Sequence, residues 1–246
     1  MEKMEWHIVK LQETRSTNTY LDNLDTETRQ NEGCVVITHT QSAGRGQRGN
    51  TWEAEPGQNL TFSYLLRPKA VAAREQFVLS QAVSLAVVDV LSRYADGFSV
   101  KWPNDIYYKD SKIAGILIEH HLSGMNISRT IVGIGLNINQ QQFLSDAPNP
   151  ISLRQITGKE YCLDDILNEV LQATAIRYDQ CTENRELLQS NYASALYRKD
   201  GFYTYRDANG EFEARIQEVL PEGYLLLIDT NNRVRQYAFK EVAFVI

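Results

Sequence analysis

The segment of residues 41–52 concentrates residue types that bind anions and flat rings. It reads QSAGRGQRGNTW and holds three glycines, two arginines and a tryptophan. Glycines let backbone N–H groups approach an anion closely, arginines pair with phosphate or carboxylate oxygens, and an indole offers a flat face to a ring. We expect a loop that binds a nucleotide phosphate. The alternative is an ordinary exposed turn, because a glycine motif alone is weak evidence.

The same segment does not fit two common nucleotide-binding patterns. It has neither the Lys-Ser/Thr ending of a P-loop nor the strand-turn-helix setting of a dinucleotide-binding motif. The sequence therefore does not indicate a kinase or a dehydrogenase.

A lysine, a tryptophan and a proline stand together in KWPND, residues 101–105, at the end of an apolar run. A lysine held at a strand end can place its ammonium against a phosphate and a carboxylate together. It then stabilises the negative charge that develops as the two anions meet. We interpret Lys101 as a candidate catalytic cation. The alternative is a solvated lysine beside a buried Trp102, since lysines are mostly exposed.

Glycines also occur in GIGLNIN, residues 133–139, which ends another apolar run. Glycines there let the backbone lie against a ligand, and Asn137 can read an adenine edge or anchor a phosphate. The alternative is a β-bulge followed by a turn. The adjacent His120 and His121 point to opposite faces of a strand and do not easily share a metal, so we interpret them as structural.

The elements around these motifs predict an α+β fold, with a mixed or antiparallel sheet flanked by helices. Apolar and β-branched runs predict strands at 34–39, 59–67, 98–108, 112–122 and 128–138. Helical spacing of apolar residues, or amphipathic stretches free of Gly and Pro, predict helices at 74–95, 163–180 and 184–198. Beyond Gly201, short alternating segments joined by turns predict a small β-barrel. We expect one domain at 1–197 and a second at 198–246.

Composition excludes several classes of protein. A net charge of −6 argues against binding to a nucleic-acid backbone, so we expect no DNA partner. The cysteines at 34, 162 and 181 are odd in number and widely spaced, which fits neither a disulfide framework nor a paired zinc site. No apolar stretch reaches the roughly 18 residues of a membrane span. We expect a cytoplasmic protein with no membrane partner.

Five motifs, taken in chain order, resemble the biotin–protein ligase (biotin–[acetyl-CoA-carboxylase] ligase) family. They are Ser16-Thr17-Asn18, GRGQRGNTW at 44–52, KWPND at 101–105, KIAGIL at 112–117 and GIGLNIN at 133–139. The resemblance implies a central mixed sheet of the class II aminoacyl-tRNA synthetase/biotin ligase type, followed by an SH3-like β-barrel. It also implies a short form of the ligase, because residues 1–15 leave no room for the N-terminal DNA-binding domain of some members.

The resemblance implies a reaction in two steps. The biotin carboxylate attacks the α-phosphate of ATP and forms biotinyl-5′-AMP, and a lysine of a biotin carboxyl carrier protein then takes the biotin. ATP and biotin are thus substrates, and Mg²⁺ accompanies the triphosphate through ligands that the sequence does not identify. The carrier is expected to belong to a biotin-dependent carboxylase or decarboxylase.

The resemblance also assigns roles to individual residues. Lys101 and Arg45 are the implied catalytic residues, and Lys101 bridges the carboxylate and the α-phosphate. The implied biotin-binding residues are Ser16, Thr17, Asn18, Gln41, Gly44, Arg45, Lys112, Gly115, Gly133 and Gly135. The implied ATP-binding residues are Arg45, Gln47, Arg48, Asn50, Trp52, Lys101, Asn104 and Asn137. The glycine-rich loop is expected to become ordered as ligands bind, since a mixed anhydride must be shielded from water.

The chain departs from the family at two positions of this loop. The family commonly carries arginine where this chain has Gln47, and often where it has Asn50. A neutral amide gives weaker hydrogen bonds to phosphate than a guanidinium does, so we expect looser retention of the adenylate.

Two other functions remain open from the sequence. A lipoate ligase or octanoyltransferase shares the fold and also acylates a carrier lysine, whereas a non-catalytic protein could sense a nucleotide or a vitamin. A homodimer is possible through an exposed strand such as 129–138, although the same run could be a central strand.

Overall fold

The computed structural model describes residues 4–46, 51–144 and 149–246. The strands of its main sheet are β1 (His7–Thr14), β2 (Cys34–Gln41), β3 (Leu60–Leu66), β4 (Phe98–Lys101), β5 (Asp105–Tyr108), β6 (Ser111–Ser123) and β7 (Asn126–Leu136). Their order across the sheet is β1-β2-β3-β7-β6-β5-β4. β1 and β2 run parallel and the other neighbours antiparallel, which confirms the predicted mixed sheet.

Helices cover both faces of this sheet. They are α1 (Thr17–Thr28), α2 (Phe77–Leu91), α3 (Leu153–Thr157), α4 (Leu163–Glu183) and α5 (Arg185–Ala195). α1 packs on β2, β3 and β7, whereas α2 contacts β4, β5, α4 and α5. β3 lies between the two layers, and each of its residues is buried. This two-sided burial explains why its sequence, LTFSYLL, does not alternate between apolar and polar residues along its whole length.

The run 98–108 forms two strands rather than the single predicted strand. Lys101 pairs with Asp105 across a turn that contains Pro103. Proline has no N–H to donate to a strand ladder, so the chain reverses direction there. The KWPND motif is therefore a hairpin turn at the edge of the sheet.

The run 129–138 falls largely within β7, which lies between β3 and β6. Both of its edges are hydrogen-bonded inside the chain. The run is therefore the central strand that was expected as the alternative, and its edges are not available for pairing with a second chain.

A second, antiparallel sheet follows α5. Its strands are β8 (Tyr203–Asp207), β9 (Gly210–Val219), β10 (Leu225–Asp229), β11 (Val234–Tyr237) and β12 (Ala243–Phe244), in the order β11-β10-β9-β8-β12. The sheet is consistent with the predicted SH3-like domain, although its strands do not close into a complete barrel. β11 and β12 form the two edges of this sheet.

The second sheet docks on the KWPND turn. The indole Nε1 of Trp102 donates a hydrogen bond of 3.0 Å to the carbonyl of Gly223. The Trp102 ring also meets the Phe239 ring edge-on, with centroids 5.3 Å apart. The guanidinium of Arg198 donates to the carbonyl of Val245 at 2.8 Å. The two contacts of Trp102 hold the KWPND turn against the second sheet.

A buried carboxylate fastens α1 to the sheet. The Asp25 side chain is only 2% exposed and accepts from Arg67 at 2.6 Å and from Arg129 at 2.7 Å. Asp25→Ala leaves both guanidinium groups without this partner in a site that water hardly reaches. We expect a loss of about 3 kcal/mol of unfolding free energy, measured by urea denaturation.

An exposed ion pair supplies the control for this substitution. Lys10 and Asp164 lie 2.7 Å apart, with side chains 61% and 56% exposed. Asp164→Ala should therefore cost less than about 1 kcal/mol. Equal losses from Asp25→Ala and Asp164→Ala would contradict the anchoring role of Asp25.

Two further observations bear on the predictions from composition. Cys34, Cys162 and Cys181 are free thiols. Within residues 4–46, 51–144 and 149–246, no helix combines the length and the hydropathy needed to span a membrane.

Candidate functional site

A cavity of about 200 Å³ lies where α1 begins, against the glycines of β6 and β7. Its walls come from the N-terminus of α1, the end of β2, the strand β3, the glycine-rich loop and the KWPND turn. The predicted site residues that line it are Ser16, Thr17, Asn18, Gln41, Arg45, Trp52, Asn104, Lys112, Gly115, Gly133 and Gly135. The fold therefore brings together residues from all five motifs.

The N-terminus of α1 supplies polar groups to this cavity. Ser16 caps the helix with an extended backbone, and its hydroxyl accepts from the amide of Thr19. The backbone N–H of Thr17 donates to the side-chain carbonyl of Gln41 at 2.8 Å. The Ser63 hydroxyl contacts the Thr17 hydroxyl at 2.7 Å. These bonds tie the helix start to β2 and β3 and hold its polar groups at the cavity wall.

Asn18 joins three elements at the cavity floor. Its amide nitrogen donates to Glu119 at 2.7 Å, and its amide oxygen accepts from Ser63 at 2.6 Å. The side chain fits because β7 has a glycine beside it: a Cβ at Gly133 would stand 2.1 Å from the Asn18 oxygen. The absence of a side chain at Gly133 is thus a condition for this arrangement.

Arg45 connects the glycine-rich loop with α1. Its guanidinium donates to the hydroxyl of Thr19 and to the carboxylate of Glu119, both at 3.2 Å. The two ends of the loop are joined, because the backbone N–H of Trp52 donates to the Gly44 carbonyl at 3.2 Å. A Cβ at Gly44 would lie 2.5 Å from the Trp52 carbonyl oxygen, so this close approach requires glycine.

The Trp52 indole lies inside the cavity, over two glycines. A Cβ at Gly135 would stand 2.2 Å from the indole ring, and one at Gly115 would stand 3.1 Å from it. The Lys112 ammonium lies 5.7 Å from the ring centroid. The indole N–H is buried and has no hydrogen-bond partner among the described residues. Gly115 and Gly135 therefore create the flat surface that accepts a ring.

Lys112 and Asn104 define the side of the cavity near the KWPND turn. The Lys112 ammonium pairs with the Asp105 carboxylate at 2.7 Å, and both side chains are mostly buried. The Asn104 amide donates to the carbonyl of Ile116 at 2.6 Å. Lys112 therefore lines the cavity as a cation whose charge a carboxylate already balances.

Lys101 lies beside the cavity rather than on its wall. Its ammonium donates to the Tyr107 hydroxyl at 3.2 Å, with ring centroids of Tyr107 and Phe244 at 4.8 and 5.3 Å. Burial lowers the pKa of Lys101, Asp105 opposes this effect, and nearby cations add to it. The ammonium is thus poorly hydrated, and its strand partner Asp105 does line the cavity.

The remaining predicted ATP-binding residues are placed differently. Asn137 is buried, and its amide donates to the carbonyl of Ile151 at 3.1 Å, so it supports the end of β7 outside the cavity wall. Gln47, Arg48 and Asn50 lie outside the described residues.

Several cavity residues escaped the sequence analysis. Thr61 and Phe62 line the wall from β3, and Lys240 reaches it from the second sheet. Nothing in a β-strand pattern distinguishes Thr61 or Phe62 from core residues. Nothing in the sequence linked Lys240 to the site, because it is more than a hundred positions from the nearest motif. Asp105 was visible within KWPND, but its pairing with Lys112 was not.

Comparison with known proteins places these features in one family. Residues 11–137 match the biotin/lipoate A/B protein ligase family. The bifunctional ligase/repressor BirA of Bacillus subtilis is 30% identical over 215 residues, which are 83% of this chain and 64% of that protein. The biotin–[acetyl-CoA-carboxylase] ligase of Paracoccus denitrificans is 34% identical over 149 residues, covering 57% of this chain and 60% of that protein. The chain thus spans less than two thirds of the length of these relatives.

A solved structure matches nearly the whole chain. The biotin protein ligase from Aquifex aeolicus, in complex with biotin and ATP, superposes with a TM-score of 0.79 and 25% sequence identity. The match covers 96% of this chain and 97% of that one.

Proposed function

The chain belongs to the biotin/lipoate A/B protein ligase family, and from this premise we propose that it is a biotin–protein ligase. It activates biotin with ATP and transfers it to one lysine of a carrier protein. The observation that carries this proposal is the cavity itself. Polar groups of α1 and β2 lie there opposite Gly115, Gly133 and Gly135, with Lys112 on the wall and Lys101 beside it. A relative of the same fold holds biotin and ATP together.

The cavity suits a ligand with a polar head and a flat ring. Hydroxyls of Ser16 and Thr17 and the amide of Gln41 offer donors and acceptors to the ureido group of biotin. Gly115 and Gly133 let the Trp52 ring and the Asn18 amide lie close against β6 and β7, and these groups bound the space for the fused rings. The carboxylate at the other end of biotin then extends toward the lysines of the KWPND side.

The first step joins this carboxylate to the nucleotide. A carboxylate oxygen bonds to the α-phosphorus of ATP, the bond from that phosphorus to the bridging oxygen breaks, and pyrophosphate leaves with the electron pair. We assign Lys101 the stabilisation of the charge on the α-phosphate, because its ammonium is desolvated and donates a hydrogen bond to the neutral hydroxyl of Tyr107. Lys112 is a weaker candidate, since Asp105 already balances its charge.

The second step uses the mixed anhydride as an acylating agent. The neutral ε-amine of the carrier lysine attacks the carbonyl carbon, the bond to the phosphate oxygen breaks, AMP leaves with the electron pair, and the nitrogen releases a proton to water as the amide forms. We propose that the carrier is a biotin carboxyl carrier domain of a carboxylase or decarboxylase. We also propose that residues 1–197 form the catalytic domain, that residues 198–246 form a second domain, and that the reaction takes place in the cytoplasm.

The cavity offers few protein ligands for a Mg²⁺ ion that accompanies ATP. Asp105 lines the cavity, but Lys112 pairs with it. No cluster of three metal-binding side chains occurs among residues 4–46, 51–144 and 149–246. We propose that Mg²⁺ would enter this site together with ATP, with Asp105 as the nearest lining carboxylate, and that when bound it would supply positive charge to the phosphates.

Acyl transfer to a carrier domain tests this proposal. The protein, ATP, Mg²⁺ and a biotin carboxyl carrier domain are incubated with biotin, lipoate or octanoate, and the intact mass of the carrier is measured. We expect the mass increase of one biotin and no change when the acceptor lysine is replaced by arginine. Modification by lipoate or octanoate alone would indicate the related acyl ligases or transferases instead. No modification of an intact carrier would contradict the ligase proposal.

Gln47→Arg is expected to slow the release of biotinyl-5′-AMP by roughly tenfold, since a guanidinium binds phosphate more strongly than an amide does. Dissociation of the adenylate is measured by chasing preloaded enzyme with excess unlabelled adenylate. Biotinylation of a bystander protein such as serum albumin should fall in parallel. An off-rate that is the same in both proteins would contradict this expectation.

A further inference from the structure

A second cavity, of about 160 Å³, lies between α2, β6 and the turn that joins β9 to β10. A cavity of about 150 Å³ is large enough to hold benzene, so this one has room for a single aromatic ring with short substituents. The residues that give it its chemical character are Phe77, Ser80, Ser84, Ile118, His120 and Glu222.

The second cavity is separate from the cavity of the candidate functional site, which we call the first cavity. Asn104 and Ile116 line both of them. Two hydrogen bonds join these residues: the Asn104 amide donates to the Ile116 carbonyl at 2.6 Å, and the Ile116 N–H donates to the Asn104 carbonyl at 3.0 Å. A hydrogen-bonded wall thus divides the cavities, so a ligand of one does not occupy the other.

The buried end of the second cavity offers an unpaired hydroxyl. Ser84 is only 1% exposed, and its Oγ has no hydrogen-bond partner among the described residues. Leaving a hydroxyl buried and unpaired costs free energy, and most such groups in proteins have a partner. An unpaired hydroxyl in a cavity wall therefore indicates a position where a polar group of a ligand is stabilised.

His120 adds a second polar group to this wall. Its Nδ1 lies 2.9 Å from the Thr130 hydroxyl, which leaves Nε2 for a ligand. Burial, reinforced by the neighbouring His121, lowers the pKa of His120 to about 4. The ring is therefore neutral at neutral pH and adds no positive charge to the cavity.

The apolar part of the wall suits an aromatic ring. Phe77 is buried, and its ring centroid lies 6.1 Å from that of Phe239, which also lines the cavity. Ile116 and Ile118 face the same space from β6. Aromatic rings pack favourably against each other at separations of this kind.

The charge of the second cavity favours a cation. Glu222 is the only charged side chain among the described residues that line it, and it is exposed, where the cavity meets solvent. Its carboxylate attracts an ammonium and repels a carboxylate or a phosphate. The first cavity, by contrast, has Arg45 and Lys112 on its wall.

We propose that the second cavity binds a small aromatic amine that carries a hydroxyl group. The ammonium lies near Glu222, the ring lies against Phe77, and the hydroxyl bonds to Ser84 beside His120. This inference goes beyond the proposed function and does not depend on it.

Tyramine is the probe, because it combines a phenol hydroxyl, one ring and an ammonium. Phenethylamine lacks the hydroxyl, and the corresponding hydroxyphenylpropionate carries a carboxylate in place of the ammonium. Dissociation constants are measured by NMR titration of the isoleucine methyl groups, since Ile118 lines the second cavity but not the first. Each titration is repeated with saturating biotin.

Three variants each change one property of the second cavity. Ser80→Leu fills it, Ser84→Ala removes the unpaired hydroxyl, and Glu222→Gln removes the charge. Glu218→Gln is the control, because Glu218 is also exposed on the second sheet but does not line the cavity. The unfolding temperature of each variant is measured alongside.

We expect tyramine to bind with a dissociation constant on the order of 0.1–1 mM, with or without biotin, as suits a ligand of about ten non-hydrogen atoms. Phenethylamine, and tyramine with Ser84→Ala, should each bind roughly fivefold more weakly, the effect of one neutral hydrogen bond. Glu222→Gln should weaken tyramine binding roughly threefold. Ser80→Leu should abolish binding, and Glu218→Gln should not change it. Ser84→Ala should unfold at the wild-type temperature or above, because the hydroxyl it removes is unpaired.

Four results would overturn the inference. Displacement of tyramine by biotin would place it in the first cavity, and equal affinity for hydroxyphenylpropionate would contradict the role of Glu222. Unchanged tyramine affinity in a folded Ser80→Leu variant, or no saturable shift of the Ile118 methyl group, would exclude the second cavity as the site. A protein that does not bind biotin contradicts the proposed function alone, because the comparison of tyramine binding among the variants still decides this inference.

Discussion

Lys101→Ala is expected to lower biotin-dependent pyrophosphate release by about 100- to 1,000-fold, the cost of losing one group that stabilises transition-state charge. The ammonium of Lys101 is desolvated, so its field at the α-phosphate is strong. The effect should appear in kcat, with a smaller change in the KM for biotin. Single-turnover release of pyrophosphate measures the step directly.

Lys112→Ala is the matched comparison for Lys101→Ala, because it removes the other lysine near the KWPND turn. Lys112 lines the cavity but pairs with Asp105 at 2.7 Å, so its removal should cost less than the removal of Lys101. If Lys112→Ala abolishes release and Lys101→Ala does not, the catalytic roles of the two lysines must be exchanged. Lys109→Ala, in an exposed turn, should leave the rate unchanged.

The pH dependence of the same rate follows from the burial of Lys101. Only the protonated amine stabilises an anion, and burial lowers its pKa below the usual value of 10.5. The rate should therefore fall as pH rises through this lowered pKa, at a lower pH than an exposed lysine would produce. In Lys101→Arg, whatever activity remains should lack this alkaline decline, because a guanidinium stays charged.

Gly133→Ala is expected to weaken biotin binding by at least about 100-fold. The new Cβ would stand 2.1 Å from the Asn18 oxygen, and Asn18 cannot move freely because Ser63 and Glu119 hold it. The start of α1, with Ser16 and Thr17, must then shift away from its position at the cavity. Displacements of about 1 Å at a site of this kind cost about 100-fold. Calorimetric titration with biotin measures the effect.

Gly124→Ala provides the control for this substitution. Gly124 stands at the tip of the β6–β7 hairpin, where a Cβ would meet nothing within 4 Å, although its φ of 61° disfavours alanine. We expect Gly124→Ala to lose about 1–2 kcal/mol of stability and to bind biotin normally. Normal biotin binding in Gly133→Ala would contradict the role of Gly133 in shaping the cavity.

The motifs could be predicted from the sequence because each one concentrates unusual residue types in a short segment. Their order along the chain was sufficient to infer the family that the match over residues 11–137 shows. The strands β2, β3 and β7 were predictable for a related reason, since strands buried along much of their length leave apolar runs. The contacts among the motifs were not visible, because they depend on the order of strands across the sheet.

Other elements could not be predicted for physical reasons. The helix α1 is largely polar, and much of what fixes it is tertiary: the bonds of Asn18 and the ion pairs of Asp25. The strand β1 lies at the edge of the sheet and its residues are mostly exposed, so its sequence shows only a weak alternation of apolar and polar residues. The placement of Lys240 at the cavity depends on how the two sheets dock, which no local pattern encodes.

The most direct test of the account is pyrophosphate release from ATP and Mg²⁺, measured with biotin, with lipoate and without either acid. We predict release that requires biotin, that lipoate does not support, and that Lys101→Ala reduces to near background. Release that requires lipoate, or no release with biotin from a folded protein that binds ATP, would contradict the proposal that this protein adenylates biotin.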